Sequence, residues 1–446
     1  MLVRRHLWLA LLLTTLPMWS QVAPSATGDE NTSDGDTQMS IPPPVSDASY
    51  PTEVADEARS NYMRVGVAFQ TAYIDNLYAG NGATAIGETT YSIFPTISID
   101  QTTTRQHRMF TYSPGFTFYQ PTTGLNETDQ NGMADFTYRV TQHLAATIHD
   151  TFIRSSTAYG LSDFATGGAI SGSPSLLPPG IIAPFAERLT NTTTGQVSYQ
   201  FSEAGMVGAS GTFMMLRYPN QAEASGLYNS DERGASAFLN RRISARQYVG
   251  MNYQFSRSLT YPANATSVTQ TQTVYGFYTI YPKRNLSLSI SGGPQHYGIS
   301  QTSQPNSGGW GPLVMASVGW QGLRTSIAGS YSREVTGGGG LLGAFVSTSA
   351  EGSGRWQLSR RWTAGVSASY AINKPVGSVL DFASEEGHSI SGFATVQHPL
   401  SSRIGLEFEY DRLHQSYSGI TVVSSNPNSN REKISLNWEF SRPLGR

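Results

Sequence analysis

The amino-acid sequence predicts an all-β fold, a transmembrane antiparallel up-and-down β-barrel of about 18 strands. Three observations lead there. First, the run Ile404-Gly405-Leu406-Glu407-Phe408-Glu409-Tyr410-Asp411 is apolar or aromatic at every even position and Gly or acidic at every odd one. The pattern returns in Lys433-Ile434-Ser435-Leu436-Asn437-Trp438-Glu439-Phe440. Second, such runs recur from Tyr62 to Phe440, 18 of them. Third, the connections between them alternate between short and long.

Alternation gives each strand one apolar and one polar face, because successive side chains point to opposite sides. A soluble sandwich turns the apolar face inward, and a membrane barrel turns it outward. Two features favour the barrel. Bulky pairs such as Tyr253 with Phe255, and Trp438 with Phe440, are too frequent to be left in water. Trp320, Trp356, Trp362 and Trp438 fall at the strand ends nearest the short turns, with Trp310 beside a long loop, as interfacial girdles require.

The N-terminus reads as a signal peptide over residues 1–20: Arg4 and Arg5, an apolar run from Leu7 to Trp19, then the small residues Ser20, Ala23 and Ala26. Residues 21–60 are Pro-, Ser- and acid-rich, including Pro42-Pro43-Pro44, and read as a disordered periplasmic segment. The chain has no Cys, so stability must come from size and strand pairing rather than disulfides. No later stretch approaches the roughly 18 apolar residues of a spanning helix. The 45 Gly, 23 Tyr and only 13% charged residues suit β-structure with many turns. A net charge of −2 without a basic run gives no footing for a nucleic-acid partner.

The barrel is expected over residues 61–440. Met63, Val65, Val67 and Phe69 form its first apolar stripe, and Ile93, Ile97 and Ile99 its second. Phe110, Tyr112, Phe116 and Phe118 follow, then Phe136, Tyr138 and Val140. Leu144 to Ile153 is less regular, since Asp150 falls on the apolar phase. Val197, Tyr199 and Phe201 resume the series, followed by Val207, Ala209, Phe213 and Met215, by Ala235, Ala237 and Leu239, and by Val249, Met251, Tyr253 and Phe255. Val274, Tyr278 and Ile280 face Leu286, Leu288 and Ile290 across a tight turn. Val314 to Trp320 leads into Ile327 and Tyr331, Val346 to Trp356 into Ala364 to Tyr370, and Ile390 to Val396 into the final hairpin. The short connections are often basic, as at Arg241-Arg242, Lys283-Arg284 and Arg360-Arg361, whereas the long ones are rich in Gly, Ser and Asn.

From Tyr62 to Phe440 the chain resembles Gram-negative outer-membrane β-barrels of the porin-like kind. The C-terminal assembly signal of such barrels reads polar, any, Gly, any, any, hydrophobic, any, aromatic, and Lys433, Ser435, Trp438 and Phe440 occupy its positions. Two departures are Ser435 in place of Gly and the tail at residues 441–446. The resemblance implies residence in the bacterial outer membrane, with short periplasmic turns, long extracellular loops, and contacts to outer-membrane lipid, lipopolysaccharide and the barrel-assembly machinery. It leaves a homo-oligomer open.

If the apolar stripes face lipid, the opposite phase lines a lumen. Its candidates are Arg139, Glu351, Arg355, Glu407, Glu409, Asp411 and Glu439, among many Ser, Thr and Gln. Hydroxyls, amides and mixed charges are what a hydrated channel wall needs. The acidic row Glu407, Glu409 and Asp411 would bias such a pore toward cations. The longest loop, Ser156 to Leu189, is apolar and Pro-stiffened, with Pro174, Pro178, Pro179 and Phe185. Such a loop is expected to fold into the barrel as a constriction, as the third loop of general porins does, or else to cap the mouth or touch a neighbouring protomer.

No catalytic, cofactor or metal site is expected. Glu407 and Glu409 lie about 6.6 Å apart along a strand, within glycosidase range, but alternation alone produces that spacing. His149 and Asp150 point opposite ways on a strand, and the eight His form no metal-ligand spacing. The expected function is a porin-like channel for passive diffusion of small hydrophilic solutes. A polysaccharide exporter and a non-conducting surface or structural barrel are the alternatives.

Overall fold

The structure, a computed structural model, describes residues 61–77, 85–156, 186–220, 224, 226–262, 266–283, 285–302, 305–337, 342–376, 387–417 and 428–444. The expected signal peptide and the segment 21–60 lie outside these residues. The chain forms strands β1 (Tyr62–Ile74), β2 (Glu88–Thr102), β3 (Gln106–Gln120), β4 (Glu127–Arg139), β5 (Leu144–Ser155) and β6 (Arg188–Ser202). It continues with β7 (Gly205–Arg217), β8 (Asn229–Ser244), β9 (Gln247–Tyr261), β10 (Ser267–Lys283), β11 (Leu286–Gln301) and β12 (Ser307–Gln321). The last third holds β13 (Thr325–Thr336), β14 (Ala344–Gln357), β15 (Thr363–Val376), β16 (Gly387–Pro399), β17 (Ile404–Tyr417) and β18 (Asn428–Pro443).

Each strand pairs antiparallel with its sequence neighbours, and β1 also pairs with β18 from Tyr62↔Pro443 to Ile74↔Arg431. That last pairing closes the 18-stranded sheet and leaves no free edge strand, the condition for crossing a bilayer with strands.

Exposure alternates along the strands in the phase read from the sequence. On β17, Phe408 and Tyr410 are exposed while Glu407, Glu409 and Asp411 are buried. Met251 on β9 and Ile290 on β11 stand 56% and 58% exposed on the outer face, too much apolar surface to leave in water. Trp310, Trp320, Trp356, Trp362 and Trp438 are all exposed. Among the described residues the inward positions of the wall are largely polar.

The two faces explain the irregularities. Asp150 sits on the outward phase of β5, and its carboxylate accepts hydrogen bonds from Thr193 Oγ1 at 2.5 Å and Asn191 Nδ2 at 3.3 Å. Strands also outrun their apolar stripes: β4 begins at Glu127, although Glu127 to Gly132 carries no apolar alternation. Pairing there continues where outward positions no longer need to be apolar. Likewise β18 runs past Phe440 through Ser441, Arg442 and Pro443, which remain paired with β1, so the strand ends beyond the aromatic residue where the expected tail begins.

Candidate functional site in the barrel interior

The inner wall is built from cross-strand pairs. Directly opposed hydroxyls bond to one another at Thr279 with Ser289 (2.6 Å), Ser332 with Ser349 (2.7 Å), Ser369 with Ser391 (2.6 Å) and Ser210 with Ser236 (2.7 Å). Small hydroxyls satisfied by a neighbour keep the wall polar without leaving buried donors unpaired. Where the wall carries an aromatic ring, the next strand makes room. Phe94 lies inward on β2, and its ring fills the space that a side chain at Gly115 of β3 would occupy.

The most concentrated charge lies on β17 and β18. Their register sets Glu409 opposite Lys433 and Asp411 opposite Arg431, so acid faces base at two successive inward positions. Lys433 Nζ is 2.6 Å from Glu409 Oε1, and Arg431 Nε is 2.8 Å from Asp411 Oδ2. Arg431 also reaches Glu409 at 3.3 Å, and Gln397 Nε2 of β16 donates to Glu407 Oε2 at 2.8 Å. Both ion pairs are nearly sealed from solvent, with the Glu409 and Lys433 side chains each 1% exposed. The acidic row is thus countered by two cations on the adjacent strand. Lys433 has a structural partner here in addition to the assembly-signal position expected for it, while Ser435 is buried beside it and Trp438 and Phe440 fall on the outward phase. Arg403 lies 5.6 Å over the Phe440 ring.

Above this network the same inward row of β17 is uncharged, through Leu413, Gln415 and Tyr417. Tyr417 joins a buried cluster with Phe345 from β14, Leu216 from β7, and Ala186, Tyr218, Ala224 and Leu227 from the loop ends at the mouth. Strands β7, β14 and β17 are not neighbours in the wall, so this cluster spans the interior. Asn373 Nδ2 of β15 donates to the Tyr417 hydroxyl at 3.0 Å. Burial pushes the Tyr218 hydroxyl above the ordinary tyrosine pKa, partly opposed by the Arg188 guanidinium, so Tyr218 enters the cluster uncharged. Tyr218, Ala224 and Leu227 of the β7–β8 connection therefore pack into the mouth, a role that no local sequence signal marks.

A second inward excursion involves β13. Its pairing with β12 stops at Val314↔Arg333, and beyond that point Val335 exchanges two hydrogen bonds with the Gln295 side chain of β11. Gly337 then lies against Ser258 of β9. The top of β13 has thus parted from β12 and reaches β11, while it stays paired with β14 as far as Thr336↔Phe345.

The remaining candidates lie apart from these groups. Glu351 and Arg355 occupy inward positions on β14, partly buried, and Arg139 and Glu439 are exposed near the short-turn ends of β4 and β18. Pro174, Pro178, Pro179 and Phe185 fall outside the described residues. His149 and Asp150 do not share a site. His149 Nδ1 is 2.5 Å from Asp135 Oδ1, and its Nε2 is 3.0 Å from Thr151 Oγ1. Thr151 is 1% exposed, so this row of three is a packed wall contact.

A closed barrel with an apolar exterior and a hydroxyl- and charge-lined interior is a transmembrane barrel of the bacterial outer-membrane type. No protein-family model matches the chain, and no curated protein matches it. Among solved structures, the ferric citrate transporter FecA in its unliganded form matches at 9% identity and TM-score 0.42, over 80% of this chain and 60% of that one. The chain thus spans less than two thirds of that transporter's length. Pseudomonas aeruginosa OpdK matches at 8% identity and TM-score 0.42, over 85% of this chain and 99% of that one. OccK2 of Pseudomonas aeruginosa, crystallised with glucuronate, matches at 10% identity and TM-score 0.43, over 85% and 98%.

Proposed function

We propose that the barrel is a porin-like channel through which small hydrophilic solutes cross the outer membrane by passive diffusion, along a path narrowed at the mouth. The polar inner wall carries this reading, because inward hydroxyls, amides and charges suit a hydrated path. Selectivity then comes from width at the Tyr218–Tyr417 cluster and not from the acidic row. With Lys433 and Arg431 beside Glu409 and Asp411, the row presents little net charge to a passing ion. Glu351, Arg355, Arg139 and Glu439 are among the wall charges that then bias permeation.

The test is single-channel conductance of the refolded protein in a planar bilayer under a salt gradient. Stable open steps with a reversal potential near zero are expected. Folded protein that never opens would sink the diffusion reading. One observation favours that second reading, a closed barrel serving display or envelope structure: the apolar cluster joins non-neighbouring strands across the interior.

A further inference from the structure

On the outer face of β8 and β9, register places Arg233 directly opposite Arg257, and both side chains are exposed. Like charges directly opposed on one sheet face destabilise it. They also stand on the face that elsewhere meets lipid. Among the described residues neither arginine has an ion-pair partner. The one acid beside them, Asp231, is taken up by Arg217 at 2.7 Å and by the Tyr261 hydroxyl at 2.9 Å. The other outward neighbours are Phe213, opposite Arg233, and Gln270, opposite Arg257.

The level of the pair fixes what can meet it. Between Arg241 at the short-turn end of β8 and Arg233, the outward positions are Leu239, Ala237 and Ala235. Eight residues at about 3.3 Å each, on a strand tilted by roughly 40°, rise about 20 Å. That approaches the apolar band of about 25 Å that such barrels bury. Arg233 and Arg257 therefore stand at the outer boundary, where an arginine costs little and meets headgroups.

We propose that Arg233 and Arg257 form a phosphate clamp for a phosphorylated glycolipid of the outer leaflet. An anion between the two guanidiniums removes their repulsion and accepts charge-assisted hydrogen bonds from both. Gln270 supplies an amide donor at the rim, and the apolar stripe below, Phe255 and Tyr253, receives acyl chain. The inference rests on the membrane orientation of the barrel and is independent of whether the pore conducts.

The full chain, folded in detergent and checked by its heat-modifiable migration, is titrated with lipopolysaccharide, with the same glycolipid after phosphatase treatment, and with inorganic phosphate. The unsubstituted protein is expected to bind the phosphorylated glycolipid about thirtyfold more tightly than R233Q/R257Q does, from about fivefold per arginine. The dephosphorylated glycolipid should bind both proteins alike, and R241Q, at the opposite boundary, should keep full affinity. R257E, which places an acid opposite Arg233, should fold at least as well and lose the lipid, separating recognition from stability. Equal lipopolysaccharide affinity in the unsubstituted protein and R233Q/R257Q would overturn the proposal. So would displacement of the glycolipid by equimolar inorganic phosphate.

Discussion

The β17–β18 hairpin and the cluster at the mouth are both buried inside the barrel, yet they are assembled in opposite ways. In the hairpin, Glu409, Asp411, Arg431 and Lys433 come from two strands that are neighbours in sequence and register, and they pair as ions. In the mouth, Tyr218, Leu227, Phe345 and Tyr417 come from distant parts of the chain and pack as apolar side chains. The difference separates wall from gate. A fault among the ions acts on the closing strands themselves, whereas a fault in the cluster acts on what fills the space between strands.

Breaking the wall should have the largest effect. Lys433→Met leaves Glu409 buried with only the more distant Arg431, and the loss of one partner of a buried pair costs about 3–5 kcal/mol. Urea unfolding in detergent micelles should show a loss of that size, and Glu409→Gln combined with Lys433→Met should recover part of it. A smaller effect is expected where the wall is only crowded. Gly115→Val forces the Phe94 ring from its seat, at about 1–3 kcal/mol on the same measurement.

Leu227→Ala sharpens the contrast. The variant should lose less than about 1 kcal/mol of global stability, because the hydrogen-bonded barrel stays closed around it. Its single-channel conductance should rise severalfold, and unchanged conductance would remove the cluster from any gating role. The smallest effect belongs to the hydroxyl pairs. Ser369→Ala with Ser391→Ala removes both partners together, which is close to neutral, whereas either substitution alone strands a polar atom and costs about 1–3 kcal/mol if it is fully buried. Because these serines are only partly buried, the single variants should fall at or below the lower end.

The same contrast explains what could be read from the sequence. The wall was legible because period-2 alternation is a local signal: the stripes at Met251-Tyr253-Phe255 and Phe408-Tyr410 give both the strand and its outward face. Arg431 and Lys433 were visible on the inward phase of the last strand, but their pairing with Asp411 and Glu409 depends on hairpin register, which the Ser- and Asn-rich loop between the strands does not specify. The fit of Phe94 over Gly115 needs the same register one hairpin at a time. The mouth was not legible at all. Tyr218 and Leu227 read as ordinary loop residues, and nothing local marks Phe345 and Tyr417 as their partners. Where β13 leaves β12 the apolar stripe has already ended at Tyr331, and Arg333 stands on the outward phase. Arg233 does the same on β8, which stays in the wall, so the change does not mark the departure.

The central claim, that apolar positions face lipid and the alternate positions face the interior, has a direct test because the chain contains no Cys. Single substitutions Met251→Cys and Asn252→Cys on β9, each carrying an environment-sensitive fluorophore, would be reconstituted in bilayers containing brominated lipid. Strong quenching at 251 with weak quenching at 252 is the predicted result. The reverse pattern, or equal quenching at both, would contradict the account.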